Sequence, residues 1–178
     1  MYQGTNKIAL ASKKQISDTF LALLKQQAFA DISISLICRE AGVSRQTFYS
    51  LYQSKENIIL EIFKDHNIFN FDSLPKQEDL NSAFFARTFS FYLKGNTAFL
   101  KLLDSHQVLY LIYETLYQEL NQAELLLANL DQIERDYHIH FLAGALMGVT
   151  SAYIHNNGRQ SQAELAHKIQ DLFEGHLL

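Results

Sequence analysis

A tight turn between two short helical segments constrains this chain more than any other feature. Ser33 is placed to cap the first helix, and Gly42, in the run Ala-Gly-Val-Ser, follows where a left-handed residue would end it. Ser44 can cap the second helix, over about 45–51, while Val43 anchors the turn to the core. A sharp, packed bend between two short helices predicts a helix-turn-helix.

The rest of the chain is also patterned as helix. Ile16, Phe20 and Leu24 recur at helical spacing and mark a first helix over about 12–27. One Pro and seven Gly among 178 residues favour an almost wholly helical chain. We therefore predict an all-α fold of about nine helices. One of the remaining helices begins at Lys55, and the others lie near 79–94, 97–104, 106–128, 132–156 and 161–176. Ser161 and Glu164 are spaced as a capping box at the start of the last helix.

The charge distribution favours two domains. The segment 71–79, which contains Asp-Ser-Leu-Pro, is the only convincing domain-boundary segment in the sequence. We therefore predict a three-helix N-terminal domain, residues 1–65, and a helical C-terminal domain, residues 66–178. The first holds eight Lys and Arg against six acids, and the second seven against thirteen. A mildly basic head on an acidic body is typical of a small DNA-binding unit joined to a second domain.

Composition and motifs argue against several other classes of protein. A single Cys, no apolar run near the roughly 18 residues of a membrane span, and a polar start predict a cytoplasmic protein without disulfides, membrane contact or secretory signal. No spacing of the seven His resembles a metal site, since His138 and His140 point to different faces of a helix. No nucleophile motif, phosphate loop or carboxylate pair stands out, so we expect no cofactor and no enzyme. Cys38 is either a redox sensor or, as its inward helical position favours, a small core residue.

The second helix of the turn carries side chains suited to reading DNA. Its N-terminal residues would lie on base edges in the major groove. Arg45 suits guanine, Gln46 adenine, and the Thr47 methyl thymine. Tyr49 and Lys55 suit phosphate contacts. The simpler alternative is that Ala-Gly-Val-Ser joins two helices in an ordinary α-bundle.

The pattern extends well beyond the turn. An apolar first helix that ends near Phe29 is followed in order by Ser-Ile, Ile-Cys, Ala-Gly-Val-Ser, Thr-Phe-Tyr and Ser-Lys-Glu. On these motifs, residues of about 12–63 resemble the N-terminal domain of TetR/AcrR-type bacterial transcriptional regulators. The resemblance implies a base-reading helix over 44–50 and a double-stranded DNA operator as partner. It also implies phosphate contacts at Tyr49 and Lys55, with a further one at Ser33 or Ser35.

The resemblance implies that the C-terminal domain dimerises, and its sequence allows this. Residues 141–154 are apolar nearly all round a helix, so they are expected to be buried on several sides, and their Gly residues allow close helix approach. The alternative is a core helix within one subunit. The candidate residues for the interface with a second copy are Leu142, Gly144, Leu146, Gly148, Leu165, Ile169 and Leu172.

The segment 84–117 is dense in aromatic residues, which either line an effector pocket or fill a core. The candidate ligand-binding residues are Phe85, Phe89, Tyr92, His106, Tyr110 and Tyr113. The effector is a small molecule or a partner protein. The simplest hypothesis is a homodimeric repressor that binds a near-palindromic operator and is released by an effector. The alternative is an activator or co-regulator gated by a protein partner.

Overall fold

The fold is all-α, as predicted. The computed structural model describes residues 7–65, 81–123 and 126–175, which form nine α-helices and a short 3-10 helix, with no strand among them. The chain divides into two compact units, Met1–Asp65 and His66–Leu178. Within the described ranges, no helix is both long and apolar enough to span a membrane.

The first unit is a bundle of four helices arranged around the first of them. These helices are α1 (Lys7–Leu24), α2 (Ile34–Glu40), α3 (Arg45–Leu51) and α4 (Lys55–Asp65), and the 3-10 helix Phe29–Asp31 lies between α1 and α2. Helix α1 packs against each of the other three. Side chains of all four helices and of the α1–α2 link are fully buried at the centre, namely Ile16, Phe20, Ile32, Ile37, Phe48, Ile58, Ile59 and Phe63.

The two helices of the turn begin and end at the capping residues that the sequence predicts. The Ser33 hydroxyl accepts a hydrogen bond from the Leu36 amide at 3.1 Å, which satisfies one free donor at the start of α2. Gly42 ends that helix with φ +64°, in the left-handed region that a Cβ disfavours. Ser44 then caps α3 through the Thr47 amide at 2.9 Å.

The second unit contains the remaining five helices. They are α5 (Ser82–Gly95), α6 (Thr97–Ser105), α7 (Leu111–Gln122), α8 (Gln132–His155) and α9 (Gln162–Phe173). Helix α5 packs along α9, and α7 packs along α8, while α6 contacts both α5 and α8. The predicted capping box is present at α9, where the Ser161 amide and hydroxyl both donate to Glu164 at 2.8 Å, and these bonds lower the pKa of that carboxyl.

The single helix predicted over 106–128 is wrong. Gln107 and Leu127 adopt left-handed backbone, with φ of 59° and 58°, and an α-helix cannot pass through either position. Helix α7 is therefore confined to Leu111–Gln122. Its C-terminal carbonyls are satisfied by Arg135, whose guanidinium donates to the Asn121 oxygen at 2.8 Å and the Ala123 oxygen at 3.3 Å.

Candidate nucleic-acid interface

Helix α3 has one buried side and one exposed polar side. Phe48 and Leu51 point into the bundle and are 0% and 3% exposed. Arg45, Gln46 and Tyr49 lie on the opposite side and are exposed. Because α3 has only seven residues, its position depends on the buried pair and not on its own helical stability. The helix is thus held rigidly by its apolar side while its polar side is open to a partner.

The N-terminus of α3 is a small hydrogen-bonded cluster. The hydroxyls of Ser44 and Thr47 lie 2.8 Å apart, in addition to the cap that Ser44 forms with the Thr47 amide. Thr47 is half-buried, whereas Ser44 is exposed. Two of the sequence-predicted DNA residues therefore also fix the start of the helix that carries the others.

The structure brings Arg45 and Ser35 together. The Arg45 guanidinium donates a hydrogen bond of 2.6 Å to the Ser35 hydroxyl, which links the first turn of α3 to the first turn of α2. Both side chains are exposed. Ser33 lies at the same end of α2, where its hydroxyl serves as the cap. Candidate base-reading and phosphate-binding groups from two helices thus share one exposed surface.

Lys55 is engaged differently from the sequence expectation of a phosphate contact. Its ammonium donates to the carbonyl oxygens of Phe29, Ile32 and Ala30 at 2.5, 2.9 and 3.4 Å. It also lies 4.2 Å from the centroid of the Phe29 ring. The side chain is half-buried against the link between α1 and α2.

Two further contacts that the sequence pattern does not reveal hold the bundle together. Lys13 and Glu61 form an ion pair at 2.5 Å, with side chains only 18% and 14% exposed, and it joins α1 to α4. The Tyr52 hydroxyl lies 3.1 Å from that of Ser17, which joins the end of α3 to α1. Both contacts connect residues more than thirty positions apart, so no local motif could have found them.

Cys38 is a core residue of this unit. The side chain is 5% exposed, and burial raises the pKa of the thiol, an effect that the positive charge of Arg45 partly offsets. A neutral, buried thiol is a poor nucleophile. Of the two interpretations that the sequence left open, the structure favours the small core residue.

Three of the seven candidate interface residues in the second unit belong to its own core. Leu146, Leu165 and Ile169 are 0%, 4% and 0% exposed, so they cannot contact a second copy. The sequence could not separate them from surface positions because α8 is apolar nearly all round. Leu142 is half-buried, and Gly144, Gly148 and Leu172 are exposed.

The exposed side of α8 is an apolar stripe. It is formed by Ile133, Tyr137, Phe141, Gly144, Gly148 and Ala152, and we call it the α8 stripe. Ile133, Tyr137 and Phe141 are 71%, 74% and 67% exposed, unusually high values for large apolar side chains. Beside it a groove of about 520 Å³ runs between α8 and the end of α9, lined by Phe141, Ala145, Gly148, Val149, Ala152, Leu172, Phe173 and Gly175.

The six candidate ligand-binding residues divide between the core and the surface of the second unit. Phe85, Phe89 and Tyr92 are buried; the rings of Phe89 and Tyr92 stack with centroids 6.0 Å apart, and burial together with Glu119 raises the pKa of the Tyr92 hydroxyl. Tyr110 is 61% exposed.

The remaining two candidate ligand-binding residues, His106 and Tyr113, are half-buried. The Tyr113 hydroxyl lies 2.5 Å from Nδ1 of His140 on α8. The six therefore differ in exposure: three are buried, two are half-buried and one is exposed. No group of three or more His, Cys, Asp or Glu side chains in the described part of the chain is placed to hold a metal ion.

Comparison with known proteins agrees with this geometry. Residues 16–62 match the model of the family described as bacterial regulatory proteins, tetR family. The HTH-type dhaKLM operon transcriptional activator DhaS of Lactococcus lactis subsp. lactis (strain IL1403) is 34% identical over 59 residues, which cover 33% of this chain and 32% of that protein. The uncharacterized HTH-type transcriptional regulator YxbF of Bacillus subtilis (strain 168) is 24% identical over 179 aligned positions, covering 91% of this chain and 44% of that protein. The aligned part of this chain spans less than half the length of each of these two relatives.

Solved structures share the fold over nearly the whole chain. The TetR transcriptional regulator from Streptococcus agalactiae 2603V has a TM-score of 0.59 at 19% identity, covering 94% of this chain and 96% of its own. The dihydroxyacetone kinase operon activator DhaS has a TM-score of 0.55 at 20% identity, covering 94% and 97%. Residues 16–62, which include the helix-turn-helix, are thus similar to the tetR family of bacterial regulatory proteins, and the fold is shared with TetR-type regulators.

Proposed function

We propose that this protein is a DNA-binding transcriptional regulator in which α3 enters the major groove of an operator. The observation that carries the proposal is the two-sided construction of α3. Buried Phe48 and Leu51 fix the helix, while Arg45, Gln46 and Tyr49 are exposed on the other side. A rigidly held helix with an arginine and an amide at its N-terminal end suits recognition of base edges.

The exposed groups divide into base-reading and phosphate-binding roles. Arg45 can donate two hydrogen bonds to guanine, and Gln46 can pair with adenine. Tyr49 and the first turn of α2, with Ser35, suit the phosphate backbone on either side of the groove. The hydrogen bond to Ser35 holds the Arg45 guanidinium along the surface that would face DNA.

We propose that the regulator acts as a homodimer through the α8 stripe and the groove beside it. Gly144 and Gly148 are exposed, and a Cβ added at either would meet nothing within 4 Å in the subunit. Small residues on an otherwise apolar stripe let a second α8 approach closely. A two-fold pair of helix-turn-helix units would then read two half-sites of a near-palindromic operator.

The simplest mode of regulation is repression that ends when an effector binds the second unit. An effector shifts the protein off DNA only if it binds the non-DNA geometry more tightly. The second candidate is an activator or co-regulator gated by a protein partner. It is favoured by the 34% identity over 59 residues to DhaS, which is described as an operon activator.

Genome-wide selection of DNA fragments bound by the full-length chain tests the proposal. We expect enrichment of a motif with two inverted half-sites, followed by retention of that motif in a gel-shift assay. Deleting the gene should raise transcription beside the motif if the protein represses and lower it if it activates. Recovery of no fragment above the level of random DNA would contradict the proposal and reopen the possibility of a helical enzyme.

A further inference from the structure

Lys55 holds the link between α1 and α2 from the first position of α4. Its ammonium reaches the carbonyl oxygens of Phe29, Ala30 and Ile32, at distances between 2.5 and 3.4 Å. An ammonium group has three N–H donors, so this link accounts for all of them. The Phe29 ring covers the same group, with its centroid 4.2 Å from Nζ.

The link that receives Lys55 is itself anchored in the core. Ile32 is fully buried, and the Phe29 ring packs edge-on against Phe20 with centroids 6.2 Å apart. Helix α2 begins directly after it, at the Ser33 cap. A cation that gathers these carbonyls therefore fixes where α2 starts, and α2 in turn packs against α3.

We propose that Lys55 is a positioning residue for the DNA-reading surface and not a phosphate contact. This inference rests on the proposed DNA-binding function. To reach a phosphate, the ammonium would have to leave charge-assisted hydrogen bonds and an aromatic face in a half-buried site. Arg45 would give up only its exposed hydrogen bond to Ser35, and Tyr49 is already exposed.

The salt dependence of DNA binding separates the two roles. Each phosphate neutralised by a Lys or Arg releases counterions and adds about 0.9 to the slope of log affinity against log salt concentration. A positioning residue instead lowers affinity by the same factor at every salt concentration. The slope can be measured on a mixed-sequence duplex, so the operator need not be known.

The experiment uses the full-length chain with Lys55→Met and Lys55→Arg. Met keeps the apolar stem and removes the donors, whereas Arg remains a good phosphate ligand but has a flat donor fork that does not fit three converging carbonyls. Lys64→Met is the matched control, since it makes the same charge change on the exposed last turn of α4. Binding is measured over roughly 50 to 200 mM salt, where phosphate contacts change affinity most visibly.

We expect both Lys55 variants to lower the melting temperature by roughly 4 °C or more, and Lys64→Met to leave it unchanged. The salt slope of Lys55→Met should equal that of Lys64→Met. A slope that falls by about 0.9 per subunit beyond the control would overturn the proposal, whatever happens to the melting temperature. Unchanged melting of both Lys55 variants would overturn it as well.

A measurement on the wild-type protein covers the case in which the variants do not fold. The ammonium of Lys55 should give a slowly exchanging ¹⁵N signal in nuclear magnetic resonance spectra, and the signal should persist unshifted when duplex is added. Its loss or shift on DNA addition would contradict the positioning role. Failure of the wild-type chain to bind duplex even at low salt would instead count against the proposed function, while the melting data still decide whether Lys55 holds the link.

Discussion

Gly158 is the described glycine at which the second unit can least accommodate an added side chain. It lies in the turn between α8 and α9 with φ +63°, and a Cβ there would approach Thr97 Cγ2 to 2.9 Å and the Tyr153 ring to 3.1 Å. Neither neighbour is free to move. The Thr97 and Tyr153 hydroxyls lie 2.8 Å apart, and the Thr97 hydroxyl also donates to the Leu93 carbonyl at 2.9 Å.

Gly158→Ala should destabilise the protein by about 2–3 kcal/mol. Left-handed backbone costs a non-glycine residue roughly 1–2 kcal/mol, and the collision with Thr97 adds to it. The measurement is urea unfolding of the full-length chain followed by circular dichroism. Gly175→Ala is the control, because Gly175 has φ +83° but nothing within 4 Å of an added Cβ. Equal losses for the two variants would show that the collision is relieved at no cost.

Single residues were predictable where their signal is local. The Ser33 and Ser44 caps, Gly42 and the Ser161 capping box each depend on neighbours within four positions, and all are present. The partners of Lys55 lie more than twenty positions away, so its spacing could not reveal them.

At the scale of elements, α3 is one of the two shortest α-helices described, and its stability depends on its environment. Its seven residues carry two roles at once, since Phe48 and Leu51 attach it to the bundle and the remaining side chains are left for a partner. The hydrogen bond between Arg45 and Ser35 orients one of these side chains. Such ordering reduces the conformational entropy that DNA binding would otherwise cost.

Arg45→Ala should relax sequence preference, whereas Tyr49→Phe should weaken binding to all DNA. A bidentate contact between arginine and guanine is worth about 1–3 kcal/mol of discrimination, so its loss should level the affinities for one base position of the operator. The Tyr49 hydroxyl, if it binds phosphate, contributes equally to every sequence. Both are measured by titrating the selected operator, its single-base variants and random DNA. A loss for Arg45→Ala that is the same on operator and random DNA contradicts a base-reading role.

The elements themselves were largely predictable, with one instructive exception. Helical spacing and caps predicted the helices of the first unit. In the second unit, apolar periodicity alone predicted one helix over 106–128, which is longer than the observed α7. Gln107 and Leu127 break that stretch with left-handed backbone although neither is glycine. Arg135 on α8 also contacts the end of α7 through the carbonyls of Asn121 and Ala123, and apolar periodicity does not reveal such tertiary contacts.

At the scale of the whole molecule, the α8 stripe is the feature that the sequence could not place. An all-round apolar helix must be buried on several sides, yet its pattern does not say which side faces its own subunit. The structure turns Ile139, Ala143 and Leu146 inward and leaves Phe141 and Gly148 outward. A single helix-turn-helix reads too few base pairs for high specificity, so this outward stripe is where we expect the second copy that supplies the other half-site.

Gly148→Leu tests that interface against a matched control. A Cβ added at Gly148 would meet nothing within 4 Å in its own subunit, and the same is true at Gly95, the last residue of α5. Both variants should therefore fold alike, as circular dichroism can verify. Only Gly148→Leu places its side chain between the two α8 helices, where it would hold them apart.

In sedimentation equilibrium at micromolar concentration, we expect the wild type and Gly95→Leu to be dimers and Gly148→Leu to be largely monomeric. The monomer should also lose most of its affinity for the operator while keeping its weaker affinity for a single half-site, because each helix-turn-helix remains intact but no longer acts in a two-fold pair. If Gly148→Leu is still a dimer, the interface does not lie on the α8 stripe. A monomeric wild type would remove the homodimer itself, and with it the physical reason for the operator to be a palindrome.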